Sequence, residues 1–370
     1  MPELLHNRNF TLEKASVSAY KIPTEAPESD GTLKWDHTTL VLVQLESNGV
    51  EGIGYTYANP ATAFMINRQL LSLLEDENIL NISLLWEKML HHIRNLGRPG
   101  ISSMAIAAVD NALWDLKAKI LNLPLCTLFG QIHSEIPVYA SGGFTSYDPA
   151  EISEKFGQLF QKGHNKFKMK IGRDKSEDLR RIEAARKAIG DSELFVDANG
   201  AYFPREAIKM SREMKDFNIK WFEEPVTSDD LAGMKRVRDK APPGMNITAG
   251  EYGYSSNYFK RMLESGAVDV LQADATRCAG FTGLFRAAVL CESFHLPFST
   301  HCAPYLHLHA AVAVKNCVHM EYFRDHVRIE KMLFEGPEEV EDGKLSPDLS
   351  QPGMGLHFKH QDAKKFKINF

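Results

Sequence analysis

The sequence predicts an α/β protein in which a closed barrel of alternating strands and helices follows a smaller α+β domain. After Gly130, short β-rich runs alternate with amphipathic helical segments, which is the pattern of repeated βα units around a parallel sheet. No glycine-rich phosphate-binding motif follows any predicted strand, so a closed barrel fits better than an open nucleotide-binding sheet. The length of 370 residues also exceeds one ordinary domain of about 150 residues.

The N-terminal part is predicted to begin with a small antiparallel sheet. Residues 11–20 form one predicted strand, and residues 38–57 form two strands around Asn48 and Gly49, a pair typical of a tight hairpin turn. Between them, residues 22–36 include a stretch rich in proline, glycine and acidic side chains. This composition predicts an irregular loop, with a mobile lid and plain disorder as the two alternatives.

The remaining segments complete a three-part organisation. A helical pattern covers about 61–122, so residues 1–132 are predicted to form an α+β domain that carries the lid loop. Residues 133–327 are predicted to form the barrel. The polar, turn-rich segment 328–370 is predicted to pack back on the first domain.

Composition excludes several classes of function. The chain is 44% hydrophobic and 25% charged with a net charge of −5, which is typical of a globular protein and argues against a nucleic acid partner. Its five cysteines are widely spaced without a C-x-x-C motif, so neither a disulfide framework nor a structural zinc site is expected. No apolar run approaches about 18 residues and residues 1–7 lack a leader pattern, so we expect a cytoplasmic protein without a membrane partner.

The predicted barrel strands end in residues that carry chemistry. Catalytic groups of such barrels gather where the strands end, on the C-terminal face. The eight strands are predicted to end near Tyr139, Lys170, Asp197, Glu223, Gly250, Gln272, Thr300 and Glu321.

Carboxylates mark three consecutive strand ends. Asp197, Glu223 and Glu251 are separated by 26 and 28 residues, each about one βα unit, so the three side chains should converge at one rim. Repulsion within such a cluster is relieved by a hard divalent cation, for which Mg²⁺ is the natural candidate. A single acid after a strand is more often a helix cap, but three in consecutive units fit capping less well.

The lysines Lys168 and Lys170 end the preceding strand. The two-residue period of a strand places both amines on one face, where each ammonium should lower the pKa of the other. One of them could then act as a base near neutral pH. The alternative is a solvated strand edge, because lysine is usually exposed.

The last three strands add an acid/base pair and a further acid. Asp274 beside His301 would fix the tautomer of the imidazole and raise its basicity, giving a general acid/base. Glu321 could donate a hydrogen bond to a substrate oxygen if it is protonated. A transition-metal site of His301, His307 and His309 is a weaker alternative, because the latter two fall in a helical run and are expected to be packing residues.

These residues, together with the AVDNALWDL run at 108–116, resemble the enolase superfamily and specifically its mandelate racemase branch. The resemblance implies a modified (β/α)7β TIM barrel with an N-terminal capping domain that the C-terminal segment completes. It also implies that Asp197, Glu223 and Glu251 bind Mg²⁺. The implied catalytic residues are Lys168, Lys170, Asp274, His301 and Glu321.

Two details of the sequence bear on the branch. In the cycloisomerase branch the position of Asp274 would be a second catalytic lysine, which argues against that branch. The departures from the family pattern are small: Ala279-Gly280 replaces the usual Gly-Gly pair, and the second metal-ligand spacing is slightly longer.

The resemblance implies removal of the proton next to a carboxylate through an ene-diolate intermediate. We expect dehydration of an acid sugar to a 2-keto-3-deoxy sugar acid, with a racemase or epimerase of a 2-hydroxy acid as the alternative. A non-catalytic binding protein on the same scaffold is the third possibility. Symmetric dimers or octamers among relatives imply a homo-oligomer. The candidate substrate-binding residues are Lys34, Trp35, Tyr55 and Asn199.

Overall fold

The computed structural model of the protein describes residues 10–370. The prediction about a leader pattern at residues 1–7 therefore lies outside the described residues. Within 10–370, none of the helices combines the length and the apolar character needed to cross a membrane.

The first part of the described chain contains the predicted antiparallel sheet. Its strand order is β15-β1-β2-β3. Asn48 and Gly49 form the turn between the second and third strands with φ angles of 53° and 71°. Both values are positive, as a tight two-residue hairpin turn requires, so the predicted hairpin is confirmed. The strands are β1 (Lys14–Ser29), β2 (Lys34–Ser47), β3 (Val50–Tyr57) and β15 (Lys367–Ile368).

The segment 22–36 is mostly strand, so the prediction of an irregular loop was wrong. β1 continues to Ser29 and pairs with β2, with a register shift between Pro23 and Glu28. β15 pairs with β1 only at Ala19 and Tyr20, which leaves the prolines on a free strand edge and at a bulge, where proline is tolerated. The composition of this segment therefore reflects an edge strand.

The tip of this hairpin is held against the barrel. Arg173 donates from Nε to the carbonyl of Asp30 over 2.8 Å and from Nη2 to the carbonyl of Leu33 over 2.6 Å. The hydroxyl groups of Ser29 and Thr145 lie 2.7 Å apart. These long-range contacts order a segment that its own composition would leave irregular.

Four α-helices in the described chain precede the barrel. The helix α3 packs on β3, where Gly54 allows the two backbones to approach closely. The helices are α1 (Pro60–Met65), α2 (Ile82–His92), α3 (Ile101–Ile120) and α4 (Leu125–Phe129); short π and 3₁₀ turns cover Ile66–Leu70, Leu71–Leu74 and Ile93–Asn95.

We expect Gly54→Ala to destabilise the protein by about 1–3 kcal/mol, the usual cost of overpacking. A Cβ at this position would lie 2.3 Å from both the carbonyl oxygen of Ala108 and the backbone nitrogen of Ala112. Gly157→Ala is the matched control, because nothing lies within 4 Å of its Cβ and an alanine inside a helix gains about 0.5–1 kcal/mol. Denaturant unfolding measures both changes, and equal stability of the two variants would contradict this packing.

Eight parallel strands close into a barrel within residues 10–370. They follow one another in chain order, and the last pairs with the first. The strands are β4 (Ile136–Gly142), β5 (Lys166–Lys170), β6 (Glu193–Asp197), β7 (Ile219–Glu223), β8 (Asn246–Ala249), β9 (Val270–Ala273), β10 (Phe298–Thr300) and β11 (Cys317–Phe323). The intervening helices are α5 (Pro149–Gln161), α6 (Asp178–Ile189), α7 (Pro204–Glu213), α8 (Leu231–Arg238), α9 (Ser256–Glu264), α10 (Gly280–Ser293) and α11 (Pro304–Ala311). The predicted barrel is confirmed.

The observed strand ends agree closely with the predicted ones. Only two strands extend more than one residue beyond their predicted ends: β4 continues to Gly142 and β11 continues to Phe323. Inside the barrel, Tyr139, Phe195 and Trp221 form a buried aromatic cluster. This aromatic layer fills the barrel interior, so the functional groups lie above it at the strand ends.

The C-terminal segment contacts both parts of the molecule. β13 pairs with β4 of the barrel, whereas β15 pairs with β1 of the antiparallel sheet. We propose that the chain divides at about residues 132 and 327, as the sequence predicts. The elements after the barrel are α12 (Arg324–Leu333), β12 (Phe334–Glu335), β13 (Lys344–Leu345), β14 (His357–Phe358), α13 (His360–Ala363) and β15.

Candidate active site

A cavity of about 610 Å³ opens at the C-terminal ends of the barrel strands, beneath the β1–β2 hairpin. Predicted site residues from four different strand ends reach it: Lys170, Glu251, Asp274 and His301. Four others are buried behind the cavity wall, where Asp197 contacts Lys170, Glu321 contacts Cys302, and Lys168 contacts the other three: Lys168, Asp197, Glu223 and Glu321. All the predicted metal and catalytic residues therefore lie in one place.

The three predicted metal ligands converge. Asp197 and Glu223 are the last residues of β6 and β7, and Glu251 follows β8 by one glycine. One carboxylate oxygen from each lies within 4.8 Å of the others, and all three side chains are buried. The backbone amide of Asn199 donates to Asp197 over 2.9 Å, and the indole of Trp221 donates to Glu223 over 2.9 Å. These bonds fix two of the three carboxylates in place.

The properties of this trio fit a hard divalent cation. Burial and the adjacent Asp197 carboxylate raise the pKa of Glu223 above its usual value. Oε2 of Glu251 is buried and contacts Nε2 of His301 at 3.3 Å, without a well-aligned hydrogen bond among residues 10–370. Crowded, desolvated oxygen donors of this kind are stabilised by a bound cation such as Mg²⁺.

The two predicted lysines face the trio. Nζ of Lys168 lies 2.9 Å from both carboxylate oxygens of Glu223 and 2.7 Å from Oε1 of Glu321. Nζ of Lys170 lies 2.5 Å from Oδ2 of Asp197. Lys168 is fully buried and Lys170 nearly so, which excludes the alternative of a solvated strand edge.

The predicted lowering of a lysine pKa was wrong for this arrangement. Burial lowers the pKa of Lys168, but Glu223 and Glu321 outweigh it and raise the pKa well above its usual value. Burial likewise opposes the charge on Lys170, and Asp197 outweighs it. The carboxylates opposite the lysines therefore have a larger effect on their pKa values than the two ammonium groups have on each other.

Asp274 and His301 form the predicted dyad. Nδ1 of His301 donates to Oδ2 of Asp274 over 2.8 Å, which leaves Nε2 pointing toward Oε2 of Glu251 at 3.3 Å. The backbone amide of Thr276 donates to the other oxygen of Asp274 over 2.7 Å. Burial opposes the charge on His301, but Cys302, Glu251 and Asp274 outweigh it and raise the pKa of the imidazole well above its usual value.

Residues of the N-terminal part of the chain hold the loop that follows β9 and carries Asp274. The hydroxyls of Thr56 and Ser103 donate to the carbonyls of Thr276 and Arg277, each over 2.7 Å. The amide of Asn111, within the 108–116 run, donates to the carbonyl of Ala275 over 3.2 Å. The 108–116 run therefore contributes to the contacts between the N-terminal part of the chain and the barrel.

Glu321 lies opposite the dyad as a paired carboxylate. Its Oε2 accepts a 2.9 Å hydrogen bond from the backbone amide of Cys302 while Oε1 pairs with Lys168. Burial raises the pKa of Glu321, but Lys168 and His301 outweigh it and lower the pKa below its usual value. The protonated donor considered from the sequence therefore does not match this environment.

His307 and His309 are packing residues of α11, as expected. Nε2 of His307 accepts a 2.7 Å hydrogen bond from the backbone amide of Ala275, while its Nδ1 faces backbone carbonyls. Nδ1 of His309 accepts one from the amide of Cys126 over 3.2 Å. Both rings are buried and engaged, so the transition-metal site of three histidines is excluded.

The four candidate substrate-binding residues separate into two groups. Trp35 and Asn199 line the cavity. Lys34 is exposed outside the cavity lining, and Tyr55 is fully buried with its hydroxyl donating to Glu330 over 2.8 Å. These two assignments are corrected: neither side chain of this pair reaches the cavity.

Sequence reasoning missed Arg277. Its guanidinium lies 3.2 Å from Oε1 of Glu251 and 3.7 Å from Oδ2 of Asp274, so it links the trio to the dyad. Tyr252 next to Glu251 also lines the cavity. Tyr252 directly follows Glu251, and Arg277 lies three residues after Asp274. Their place in loops at the strand ends was the available signal, because loop residues at that end of a barrel surround the active site.

A closed βα barrel that gathers acids, bases and a cavity at its strand ends defines the class of barrel enzymes. The chain belongs to the mandelate racemase/muconate lactonizing enzyme family of the enolase superfamily. Residues 17–130 match the mandelate racemase/muconate lactonizing enzyme N-terminal domain, and residues 151–363 match the enolase C-terminal domain-like family. The predicted family and fold are confirmed, and the protein is an enzyme of this family.

Three relatives illustrate the range of the family. The 3,6-anhydro-α-L-galactonate cycloisomerase of Streptomyces coelicolor is 31% identical, over 94% of this chain and 98% of its own. A mandelate racemase/muconate lactonizing enzyme-like protein from Rubrobacter xylanophilus is 44% identical, with a TM-score of 0.95 over 97% of this chain and 100% of its own. The L-talarate/galactarate dehydratase of Salmonella typhimurium, liganded with Mg and L-lyxarohydroxamate, is 26% identical with a TM-score of 0.89 over 99% of this chain and 95% of its own.

Proposed function

We propose that the protein is a Mg²⁺-dependent lyase that removes the proton next to the carboxylate of an acid sugar and expels the β-hydroxyl as water. The observation that carries this proposal is the placement of the carboxylate trio between Lys168 and Lys170 on one side and the Asp274–His301 dyad on the other. A similar dehydratase that binds Mg²⁺ supports both the cofactor and the substrate class.

Asp197, Glu223 and Glu251 would hold the cation. Bound there, Mg²⁺ supplies positive charge to the substrate carboxylate and so makes the adjacent proton more acidic. The trio, Asp274 and Glu321 together carry a formal charge of −5. Lys168, Lys170, Arg277 and a protonated His301 carry +4, so the site keeps an excess of negative charge that favours a cation. Each ligand lies at a strand end or within two residues of one, as a rigid metal site requires.

Lys168 would stabilise charge rather than transfer the proton. It is fully buried among carboxylates, which holds its ammonium protonated and fixed in position. A preorganised positive charge stabilises an ene-diolate because no solvent reorganisation is needed when the negative charge develops.

Lys170 and His301 would be the two groups that transfer protons. Both line the cavity, and they approach it from opposite sides of the trio through Asp197 and Glu251. Burial lowers the pKa of Lys170 and Asp197 raises it, so a cation bound to Asp197 would offset the effect of that carboxylate and allow Lys170 to lose its proton and act as a base. The Asp274 contact fixes the proton of His301 on Nδ1, so its Nε2 is the atom that exchanges a proton with the substrate. His301 would then protonate the departing β-hydroxyl.

The same arrangement supports a second candidate reaction. Bases on two faces of one carbon permit removal of a proton from one side and return from the other, which is racemisation or epimerisation. Cycloisomerisation also stays open, because the 31% identical relative is named a cycloisomerase and the argument from Asp274 therefore does not exclude that class.

The cavity walls suit a polyhydroxylated acid. Trp35, Asn59 and Asn199 line the cavity, and the two amides can exchange hydrogen bonds with hydroxyl groups. We propose Trp35 and Asn199 as substrate-binding residues. A cytoplasmic homo-oligomer, as a dimer or an octamer, belongs to the same proposal.

The proposal is tested by incubating the purified protein with Mg²⁺ and a set of sugar acids in deuterated water. Semicarbazide detects a 2-keto-3-deoxy product, and mass spectrometry detects deuterium in recovered substrate. Dehydration predicts a keto product, whereas a racemase or epimerase predicts solvent deuterium at the α carbon without one. If no sugar acid in the set gives a Mg²⁺-dependent signal in either assay, the proposal is contradicted. Glu223→Gln serves as the matched inactive variant.

A further inference from the structure

A second group of donor atoms lies next to the carboxylate trio. Nε2 of His301, Sγ of Cys302 and a carboxylate oxygen of Glu321 all lie within 4.8 Å of one another, and all three side chains are buried. Sγ of Cys302 is 3.3 Å from Nε2 of His301, and Oε2 of Glu321 is 3.8 Å from the same nitrogen. This set differs from the trio because it combines nitrogen, sulfur and oxygen.

The spacing of these atoms fits one tetrahedral ion. Zinc–nitrogen and zinc–sulfur bonds of about 2.0–2.1 and 2.3 Å place the two donor atoms about 3.6 Å apart on a tetrahedral ion. The corresponding nitrogen–oxygen separation is about 3.4 Å. The observed nitrogen–sulfur distance of 3.3 Å and nitrogen–oxygen distance of 3.8 Å lie within a few tenths of an ångström of these values.

The surroundings of His301 are those of a metal-binding imidazole. Its Nδ1 donates to Asp274, which is the second-shell contact that orients most metal-bound histidines and frees Nε2. Cys302 and Ala303 adopt positive φ angles of 50° and 39°, and the amide of Cys302 is bonded to Glu321. The thiol is therefore held beside the ring by a constrained backbone.

The fourth coordination position is left for a water molecule, because Glu251 belongs to the proposed Mg²⁺ site. Three protein ligands with one open position are the usual arrangement of catalytic zinc sites. His301 and Cys302 border the cavity, so an ion can reach them from solvent.

We propose that His301, Cys302 and Glu321 form a binding site for a borderline or soft divalent cation, Zn²⁺, distinct from the all-oxygen Mg²⁺ site. Thiolate and imidazole donors favour Zn²⁺ over Mg²⁺, and binding releases two protons to solvent, one from the thiol of Cys302 and one from Nε2 of the protonated imidazole. An ion bound there occupies the Nε2 lone pair and blocks proton transfer by His301. The block of proton transfer rests on the proposed function, whereas the binding of Zn²⁺ to the three residues does not.

Cd²⁺ is the probe that tests this site, because a cadmium–thiolate bond gives a charge-transfer absorption in the ultraviolet. The full chain is titrated with Cd²⁺ in saturating Mg²⁺ and then competed with Zn²⁺. Cys302→Ser should abolish the absorption and weaken Zn²⁺ binding at least about tenfold, since even loss of a second-shell partner costs 10–100-fold. Cys291→Ser is the matched control, because its buried thiol lies in the hydrophobic core and donates to the carbonyls of Leu296 and Pro297.

An unchanged absorption in Cys302→Ser, or its absence in the parent protein, would overturn the proposal. His301→Gln provides a second variant, and it too should weaken Zn²⁺ binding at least about tenfold. Failure of the proposed function would appear separately, as a lack of Mg²⁺-dependent turnover before any Zn²⁺ is added. The Cd²⁺ titration therefore tests the metal site whatever reaction the protein catalyses.

Discussion

Replacing His301 with asparagine is expected to lower the rate of dehydration by about 10²–10⁴-fold, the usual contribution of a general acid/base. His301 is positioned by its 2.8 Å bond to Asp274, and its Nε2 faces the cavity. Asparagine keeps a donor near Nδ1 but cannot transfer a proton. Exchange of the α proton with deuterium from the side of Lys170 should persist, so the variant separates proton removal from loss of water.

The control for this experiment is His295→Asn. His295 is exposed, lies outside the cavity lining and has a φ of 57°, a conformation that asparagine adopts readily. Its activity should equal that of the parent protein. Full dehydratase activity in His301→Asn would refute the assigned acid role.

The second large effect is expected for Lys168→Met in the absence of added metal. Loss of this ammonium leaves Glu223 and Glu321 buried without their cation, and breaking a buried pair in this way costs about 3–5 kcal/mol. The rate should also fall by about 10²–10³-fold, as it does when a preorganised charge-stabilising group is removed. Urea unfolding in a chelator measures the first change, and steady-state kinetics in Mg²⁺ measures the second.

Lys166→Met is the matched control on the same strand. Lys166 pairs with Glu193 at the other end of β5, and both side chains are partly exposed. Its loss should change the free energy of unfolding by less than about 1 kcal/mol, since such pairs contribute little. Equal effects of the two substitutions would show that Lys168 carries no special electrostatic role.

The carboxylate trio could be predicted from sequence because, in a βα barrel, residues separated by one βα unit along the chain lie close together at the strand ends. Asp197, Glu223 and Glu251 are each separated by one βα unit, and the parallel strands place their ends on one face. The hydrogen bonds that fix the trio, such as the one from Trp221 to Glu223, follow the same strand geometry.

The ionisation of the lysines could not be predicted from Lys168 and Lys170 alone. Lys170 is paired in register with Asp197 of the next strand, and this cross-strand neighbour determines its charge. Tyr55 illustrates the same difficulty, because its hydroxyl is satisfied by Glu330, 275 residues further along the chain. Such long-range partners have no local signature.

The hairpin that covers the cavity was missed for a related reason. Proline and acidic residues between 22 and 31 predict a loop, but the strand pairing and the contacts of Arg173 with the backbone of Asp30 and Leu33 outweigh local preference. Tertiary contacts of this kind become visible only once the barrel is assembled.

The most direct test of the central claim is a crystal structure of the protein grown with Mg²⁺. We expect one ion bound by oxygens of Asp197, Glu223 and Glu251 at about 2.0–2.1 Å, with Lys170 and His301 on opposite sides of it. Density for Mg²⁺ elsewhere, with no ion bound to the three carboxylates, would contradict the assignment of this barrel as a Mg²⁺-dependent enzyme.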